Sequence, residues 1–238
     1  MPHRMTAPGA RDQGRPCLLI DLPPTPYTEA LDLQHRLVAA RRDGRLAQDA
    51  VLLLEHAPVF TLGRRGGLDD LIVPRERLAQ EGIEVVAVER GGLITYHGPG
   101  QLVVYPILDL NRLRLGVRDL VSHLEAVMIR TAADFGVEAG RDERNRGVWS
   151  GGKKLGSIGL AVRHGVSFHG LALNVDIDLT PFSWIHPCGL AGVAMTSLAA
   201  EGGAGVSMDT ARRRLASHLA SALECRLVPV SLDALAGF

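Results

Sequence analysis

Leu102–Leu108 is apolar enough to lie at the centre of a sheet, and it runs into a segment that carries Val117, Leu120, Val121, Leu124, Val127, Met128 and Phe135 at helical spacing. A central strand followed by a helix with one apolar face commits the chain to layers of sheet and helix around a core. Cys17–Asp21 reads as a short buried strand, and Ala30, Leu33, Leu37 and Ala40 mark a helix that Gly44 stops. Ala50–Leu54 and Val85–Val88 read as strands that feed two glycine-rich segments, EHAPVFTLGRRGG and RGGLITYHGPGQ, both read as loops. Leu155–Val162 and Val166–Val175 meet at Arg163, His164 and Gly165, the signature of a tight turn between antiparallel strands. A last helix, from about Met208 to Leu223, repeats Ala211, Leu215, Leu219 and Ala222 on one face, with Arg212, Arg213 and Arg214 mostly outward and Cys225 at its end. The expected fold is α/β (α+β): a mixed sheet flanked by helices, with loops gathered at one site. Residues 1–15, rich in Pro, Gly and Arg, read as a flexible tail, and 16–238 as a single domain.

Composition excludes several classes. The 26 Lys and Arg balance the 26 Asp and Glu, so overall charge draws the chain to neither nucleic acid nor an anionic membrane. No apolar run approaches the roughly 20 residues needed to span a bilayer, and the N-terminus lacks the apolar core of a secretory signal. Three widely separated cysteines, Cys17, Cys188 and Cys225, suit a reducing compartment better than a disulfide framework, so a cytoplasmic location is expected.

The chemistry-bearing residues concentrate in three segments. In RGGLITYHGPGQ, Gly91, Gly92, Gly98 and Gly100 let backbone come close to a ligand, and His97 stands among them. The segment is not a phosphate loop, since neither GxGxxG nor Gly-Lys-Ser/Thr fits it. In HPCGL, Cys188 lies between Pro187 and Gly189, flanks that suit an exposed thiol on a turn, whereas Cys17 sits in an apolar strand and reads as inert. In KKLGSIG, a lysine beside such a thiol lowers its pKa, but strand alternation leaves open whether Lys153 or Lys154 faces it. His186 and Cys188 have a His-x-Cys spacing, yet no second pair accompanies them, so no metal site is expected. His169 falls within a strand and reads most simply as a hydrogen-bonded core histidine.

RGGLITYHGPGQLVVYPILDL, GGKKLGSIGLAVRHGVSFHGLALNV and HPCGL, in this order, resemble the lipoyl(octanoyl) transferases of the lipoate and biotin protein ligase superfamily. The resemblance runs from about Val51 to Leu198. It implies a catalytic domain of the biotin/lipoate protein ligase type, related to class II aminoacyl-tRNA synthetases. It also implies that Cys188 carries an acyl thioester and that Lys154, which stands directly before the hydrophobic-Gly-small-Ile-Gly run, tunes it. The implied substrate wall is Arg90, Gly91, Gly92, Leu93, Ile94, Thr95, Tyr96 and His97, with Ser157, Ile158 and Gly159, and His169, Gly170, Leu171 and Ala172. Leu93 departs from the family, where the motif often has a polar residue. The implied activity moves an octanoyl group from octanoyl-acyl carrier protein to a lysine of lipoyl domains, those of 2-oxoacid dehydrogenase E2 subunits and glycine-cleavage H protein, with no cofactor and no ATP. Exposed arginines, Arg141, Arg144, Arg146 and the Arg212–Arg214 run, are candidate docking points for the acidic carrier. Two other readings stand beside it: an ATP-dependent lipoate or biotin ligase, and a non-catalytic binder of acyl-carrier or lipoyl domains.

Overall fold

The computed structural model describes residues 14–185, 193–202 and 205–235. Its main feature is an eight-stranded sheet. β1 (Arg15–Asp21) leads through α1 (Tyr27–Arg42) to β2 (Asp49–Leu54), parallel to it. β6 (Gln101–Ile107) pairs antiparallel with β2 on one side and with β10 (Val166–Asn174) on the other. β9 (Lys153–Arg163) pairs with β10, β8 (Asn145–Ser150) pairs with β9, and β7 (Gly140–Asp142) closes that edge. β11 (Cys225–Pro229) lies parallel to β1 at the other edge, which makes the sheet mixed.

β6 and β10 are buried along their whole lengths, as the apolar run at Leu102–Leu108 requires of a central strand. Alternation along β2 sends Val51 and Leu53 to one face and Leu52 and Leu54 to the other. The first face is covered by α4 (Val117–Asp134) and α5 (Met208–Ala222), through Leu120, Leu124, Leu215 and Leu219. The second is covered by α1, through Ala30, Leu33 and Leu37. Short helices α2 (Arg75–Gln80) and α3 (Leu110–Leu113) complete the connections. The turn between β9 and β10 is tight, with positive φ at both His164 (52°) and Gly165 (82°), the twist that a two-residue hairpin needs.

Three readings of the sequence are corrected. Both glycine-rich segments contribute strands: β3 (Val59–Leu62), β4 (Glu84–Ala87) and β5 (Ile94–His97) form a second sheet in the order β4-β3-β5, packed on its own cluster of Phe60, Tyr96, Phe182 and Ile185. Four-residue strands bounded by glycine and proline show too few alternations to stand out from loop. Cys225 opens β11 rather than ending a helix, because α5 stops at Ala222 and Glu224 turns the chain with φ 48°. Arg15 belongs to β1 and not to a tail, its guanidinium 2.6 Å from the Asp49 carboxylate.

Candidate active site

Between the α1 face of the large sheet and the small sheet lies a cavity of about 630 Å³, open mouth included. The 90–93 connection and β5 form its roof. Its floor and walls come from Val103 and Tyr105 of β6, Lys154 and Ser157–Gly159 of β9, and His169–Ala172 of β10, with Tyr27 of α1 at one side.

The local geometry of the floor starts from Pro106. It sits inside β6 with no N–H to give, and the β6–β10 ladder runs only from Gln101↔Asn174 to Val104↔Leu171. A Cβ on Gly170 would meet the Val104 carbonyl oxygen at 2.0 Å and Pro106 Cδ at 2.7 Å, so the strands touch here with no room for a side chain. β10 negotiates the contact with His169 at φ 54°, left-handed backbone that a non-glycine residue adopts only under constraint. Ser167 repairs the interrupted ladder: its hydroxyl donates to the Pro106 carbonyl at 2.7 Å and accepts from the Leu108 N–H at 3.1 Å. The His169 N–H leaves the sheet and donates to Gln34 Oε1 at 2.7 Å, and its ring lines the cavity.

Arg90 holds the roof to the small sheet. Its guanidinium donates to the Thr61 hydroxyl and carbonyl, the shortest bonds at 2.7 Å, and to the Gly91 carbonyl at 3.1 Å. Gly159 makes space beneath it, since a Cβ there would meet Arg90 Cδ at 2.9 Å.

His97 and His169, which line the cavity, and His56 behind Tyr105 are held neutral. His56 donates from Nδ1 to the Thr25 carbonyl at 2.8 Å, so its Nε2 accepts from the Tyr105 hydroxyl at 2.7 Å. Burial lowers its pKa to about 4. His169 meets the Tyr27 hydroxyl at Nδ1, 3.3 Å away, while its Nε2 has no hydrogen-bond partner among the described residues and lies 3.9 Å from the Glu89 carboxylate. Burial, with the Arg90 charge behind it, lowers its pKa to about 3. His97 is pushed well below the ordinary range, by burial first and then by His56.

Lys154 is 1% exposed and lines the cavity, with its Nζ 5.4 Å from the centre of the Trp149 ring. Lys153, its neighbour in β9, turns out to solvent and pairs with Glu201 at 3.1 Å. Cys188 and His186 lie outside the described residues. The described chain on either side is anchored: Ile185 pairs with Leu71, and beyond the interval Ala194 accepts from the Lys154 N–H at 2.9 Å while Thr196 donates to the Lys154 carbonyl at 2.9 Å. The segment that follows Cys188 in sequence is thus stitched to the backbone of Lys154.

The lipoyl protein ligase A/B catalytic-domain model matches residues 26–220. The chain belongs to this family. Relatives within it include an octanoyltransferase of Desulfotalea psychrophila, 54% identical over 85% of this chain and 92% of that protein. Another, from Pseudomonas entomophila, is 47% identical over 86% and 91%. Among solved structures, a lipoate-protein ligase A bound with ATP superposes with a TM-score of 0.67 at 17% identity, covering 94% of this chain and 93% of that one. A putative lipoate protein ligase from T. acidophilum gives 0.68 at 15% identity, over 92% and 89%. At such identities the likeness is one of fold.

Against the substrate wall that the resemblance to the family implied, one residue is placed elsewhere. Tyr96 does not line the cavity: alternation along β5 sends it to the opposite face, against Phe60 and edge-on to Phe182, with ring centres 5.3 and 5.4 Å away. Tyr27, Arg65, Val103, Tyr105 and Asn145 line it without having been singled out. Alternation within Leu102–Leu108 put Val103 and Tyr105 on a common face, but nothing in the sequence said which face was hollow. The arginine candidates for docking are mostly committed elsewhere. Arg141 pairs with Glu125, Arg144 with Asp142, and Arg212 with Asp21 and Glu55, while Arg213 and Arg214 sit on α5, across the sheet from the cavity. Arg146 has no ion-pair partner among the described residues.

Proposed function

We propose that the chain takes an octanoyl group from octanoyl-acyl carrier protein and transfers it to a specific lysine of lipoyl domains, through a thioester on Cys188. Octanoyl transfer is the activity named for the relatives at 45–54% identity. The donor, the thioester and the roles of Cys188 and Lys154 are our reading. The observation that carries it is the burial of Lys154, and not of Lys153, in the wall of an apolar cavity.

Lys154 takes the Cys188 thiol proton and holds the thiolate beside its ammonium. The thiolate attacks the donor's thioester carbonyl, the old C–S bond breaks, and the leaving thiol recovers the proton from Lys154, which is left neutral. Exchange of one thioester for another is near balance. The acceptor's lysine amine then attacks the acyl-enzyme, its nitrogen bonds to the carbonyl carbon, the electron pair of the C–S bond returns to Cys188, and the surplus amine proton passes to Lys154. Conversion of a thioester to an amide runs downhill, so no ATP enters. Val103, Ala172 and the ring of Tyr105 give the floor of the cavity its apolar side chains, and each buried CH₂ of the chain contributes about 0.8 kcal/mol of binding. Backbone N–H groups of the glycine-containing walls supply the oxyanion donors. No helix among the described residues is long and apolar enough to cross a membrane, and carrier and acceptor place the reaction in the cytoplasm.

The test is incubation with octanoyl-carrier protein in the absence of nucleotide, followed by intact-mass spectrometry. An octanoyl adduct on the wild type that disappears in Cys188→Ser and is discharged by a lipoyl domain supports the reading. A strict ATP requirement favours the ligase, and no adduct at all favours a binder. Lys154→Ala should raise the Cys188 pKa by removing the nearby charge, read as a shift of thiol alkylation rate to higher pH. An unchanged profile removes Lys154 from this role.

A further inference from the structure

Gln101 and Asn174 stand opposite one another in the β6–β10 ladder, 3% and 1% exposed, and neither lines the cavity. Two amides buried where neighbouring strands end are costly unless their polar atoms are bonded, and these two are bonded in series. His97 Nδ1 lies 2.6 Å from Gln101 Oε1, Gln101 Nε2 donates to Asn174 Oδ1 at 2.9 Å, and Asn174 Nδ2 donates to the Thr196 carbonyl at 2.8 Å.

The direction of the series follows from its far end. A backbone carbonyl only accepts, so Asn174 must turn its NH₂ to Thr196 and its oxygen to Gln101. Gln101 must then turn its NH₂ to Asn174, where it also reaches the Tyr96 carbonyl at 3.4 Å, and its oxygen to His97. The proton therefore sits on His97 Nδ1, and Nε2 carries a bare lone pair. His97 is 6% exposed and lines the cavity, and its Nε2 makes no hydrogen bond to a described residue. The groups around the ring are Tyr27 stacked on it at 5.9 Å, His56 edge-on at 5.7 Å, and the Arg90 and His169 side chains of the roof and β10. A proton added at Nε2 would meet no counter-ion in contact among the described residues.

We infer that Gln101 and Asn174 are positioning residues: they fix His97 as the Nδ1–H tautomer, so that the cavity offers an acceptor nitrogen to an N–H of the incoming amine. The identity of that amine rests on the transfer reaction proposed above; the tautomer does not. An attacking primary amine has one lone pair and two N–H bonds. The lone pair must point at the thioester carbon, one proton passes to Lys154, and the second N–H is held by His97 Nε2. That hydrogen bond moves no proton; it orients the nucleophile.

Imidazole ¹⁵N NMR on the full chain reads the tautomer directly. A protonated Nδ1 and bare Nε2 for His97 throughout the neutral range are expected, and a protonated Nε2 overturns the inference whether or not any variant folds. Gln101→Leu and Asn174→Leu should each mix the tautomers. They should slow discharge of the preformed octanoyl-enzyme by a lipoyl domain about tenfold, the loss of one hydrogen bond in the transition state. Formation of the octanoyl-enzyme should change less than about twofold, because no amine takes part in it. Equal losses in both half-reactions, or a folded variant with unchanged discharge, also overturn it. A wild-type chain that never acquires the octanoyl group would defeat the transfer reaction while leaving the tautomer measurement standing.

Discussion

The floor and the roof of the cavity are built in opposite ways. The floor is ladder on both sides and backbone against backbone in the middle: β10 pairs with β9 over eight register positions and presses Gly170 onto Val104 and Pro106. The roof is bonded closely to the small sheet but tied to the large sheet and α1 by few contacts. Gly91 donates to the Leu160 carbonyl at 2.9 Å, and Glu89 clasps His35 of α1 at 3.3 Å and Arg163 at the end of β9. Lys154, to which the proposed reaction assigns the proton transfers, stands on the floor with His169. The roof covers the chain and also brings His97 of β5 to the cavity. The floor is therefore the more constrained side around the lysine of the proposed reaction, and the roof, with few ties to the large sheet, is the side expected to open locally.

The strongest way to break this contrast is to add one methyl group on each side. Gly170→Ala forces a Cβ to 2.0 Å from a carbonyl oxygen that two strands hold in place, so a loss of about 3 kcal/mol, or failure to fold, is expected in urea denaturation. Gly91→Ala meets only the Leu160 carbonyl, at 3.5 Å, an ordinary contact, and should cost less than about 1 kcal/mol. Equal costs would mean that the roof is as tightly constrained as the floor.

The same contrast explains what the sequence could tell. The floor was legible because it is regular: the apolar run of β6, the β9–β10 hairpin with its His-Gly turn, and the helices of both faces all carry period-two or helical patterns long enough to recognise. The roof was not, because Ile94–His97 is one short strand between Gly92 and Gly98 and its pairing with Val59–Leu62 leaves no trace in either segment. The resemblance of the three motifs located most of the cavity lining, and it could not see that Tyr96 faces away. The Gln101–Asn174 contact was beyond reach for a different reason: it joins residues 73 positions apart, and each reads alone as an ordinary polar strand end.

Acid tests the buried histidines of the floor and of the layer behind it next. The His169 and His56 pKa values, about 3 and about 4, lie below the 6.5 of a free histidine. Between those values the unfolded chain binds protons that the folded chain refuses, so stability falls as pH drops below 6.5. Each histidine should contribute a loss of about 1 kcal/mol between pH 6 and pH 5, measured by urea denaturation at the two pH values. His169→Gln should remove its share of that slope. A slope that His169→Gln leaves unchanged would mean that His169 gains its proton in the folded state, with Glu89 closing the 3.9 Å gap to Nε2 and the roof following the floor.

The smallest effect belongs to the roof clasp itself. Glu89 is partly exposed, and although partial burial opposes its ionisation, His35 and then Arg163 outweigh that and hold its carboxyl below the ordinary range. Pairs of this exposure contribute at most about 1 kcal/mol, so Glu89→Gln should leave global stability nearly unchanged. The change should appear instead in local opening: hydrogen exchange at the Gly91 amide, bonded to Leu160, should quicken by up to about fivefold, the equivalent of about 1 kcal/mol. The amides that join β10 to β6 should not respond, because the clasp touches neither that ladder nor Gly170. Faster exchange confined to Gly91 and its neighbours would establish the roof as a separately opening unit. Faster exchange on both sides would show that floor and roof open together.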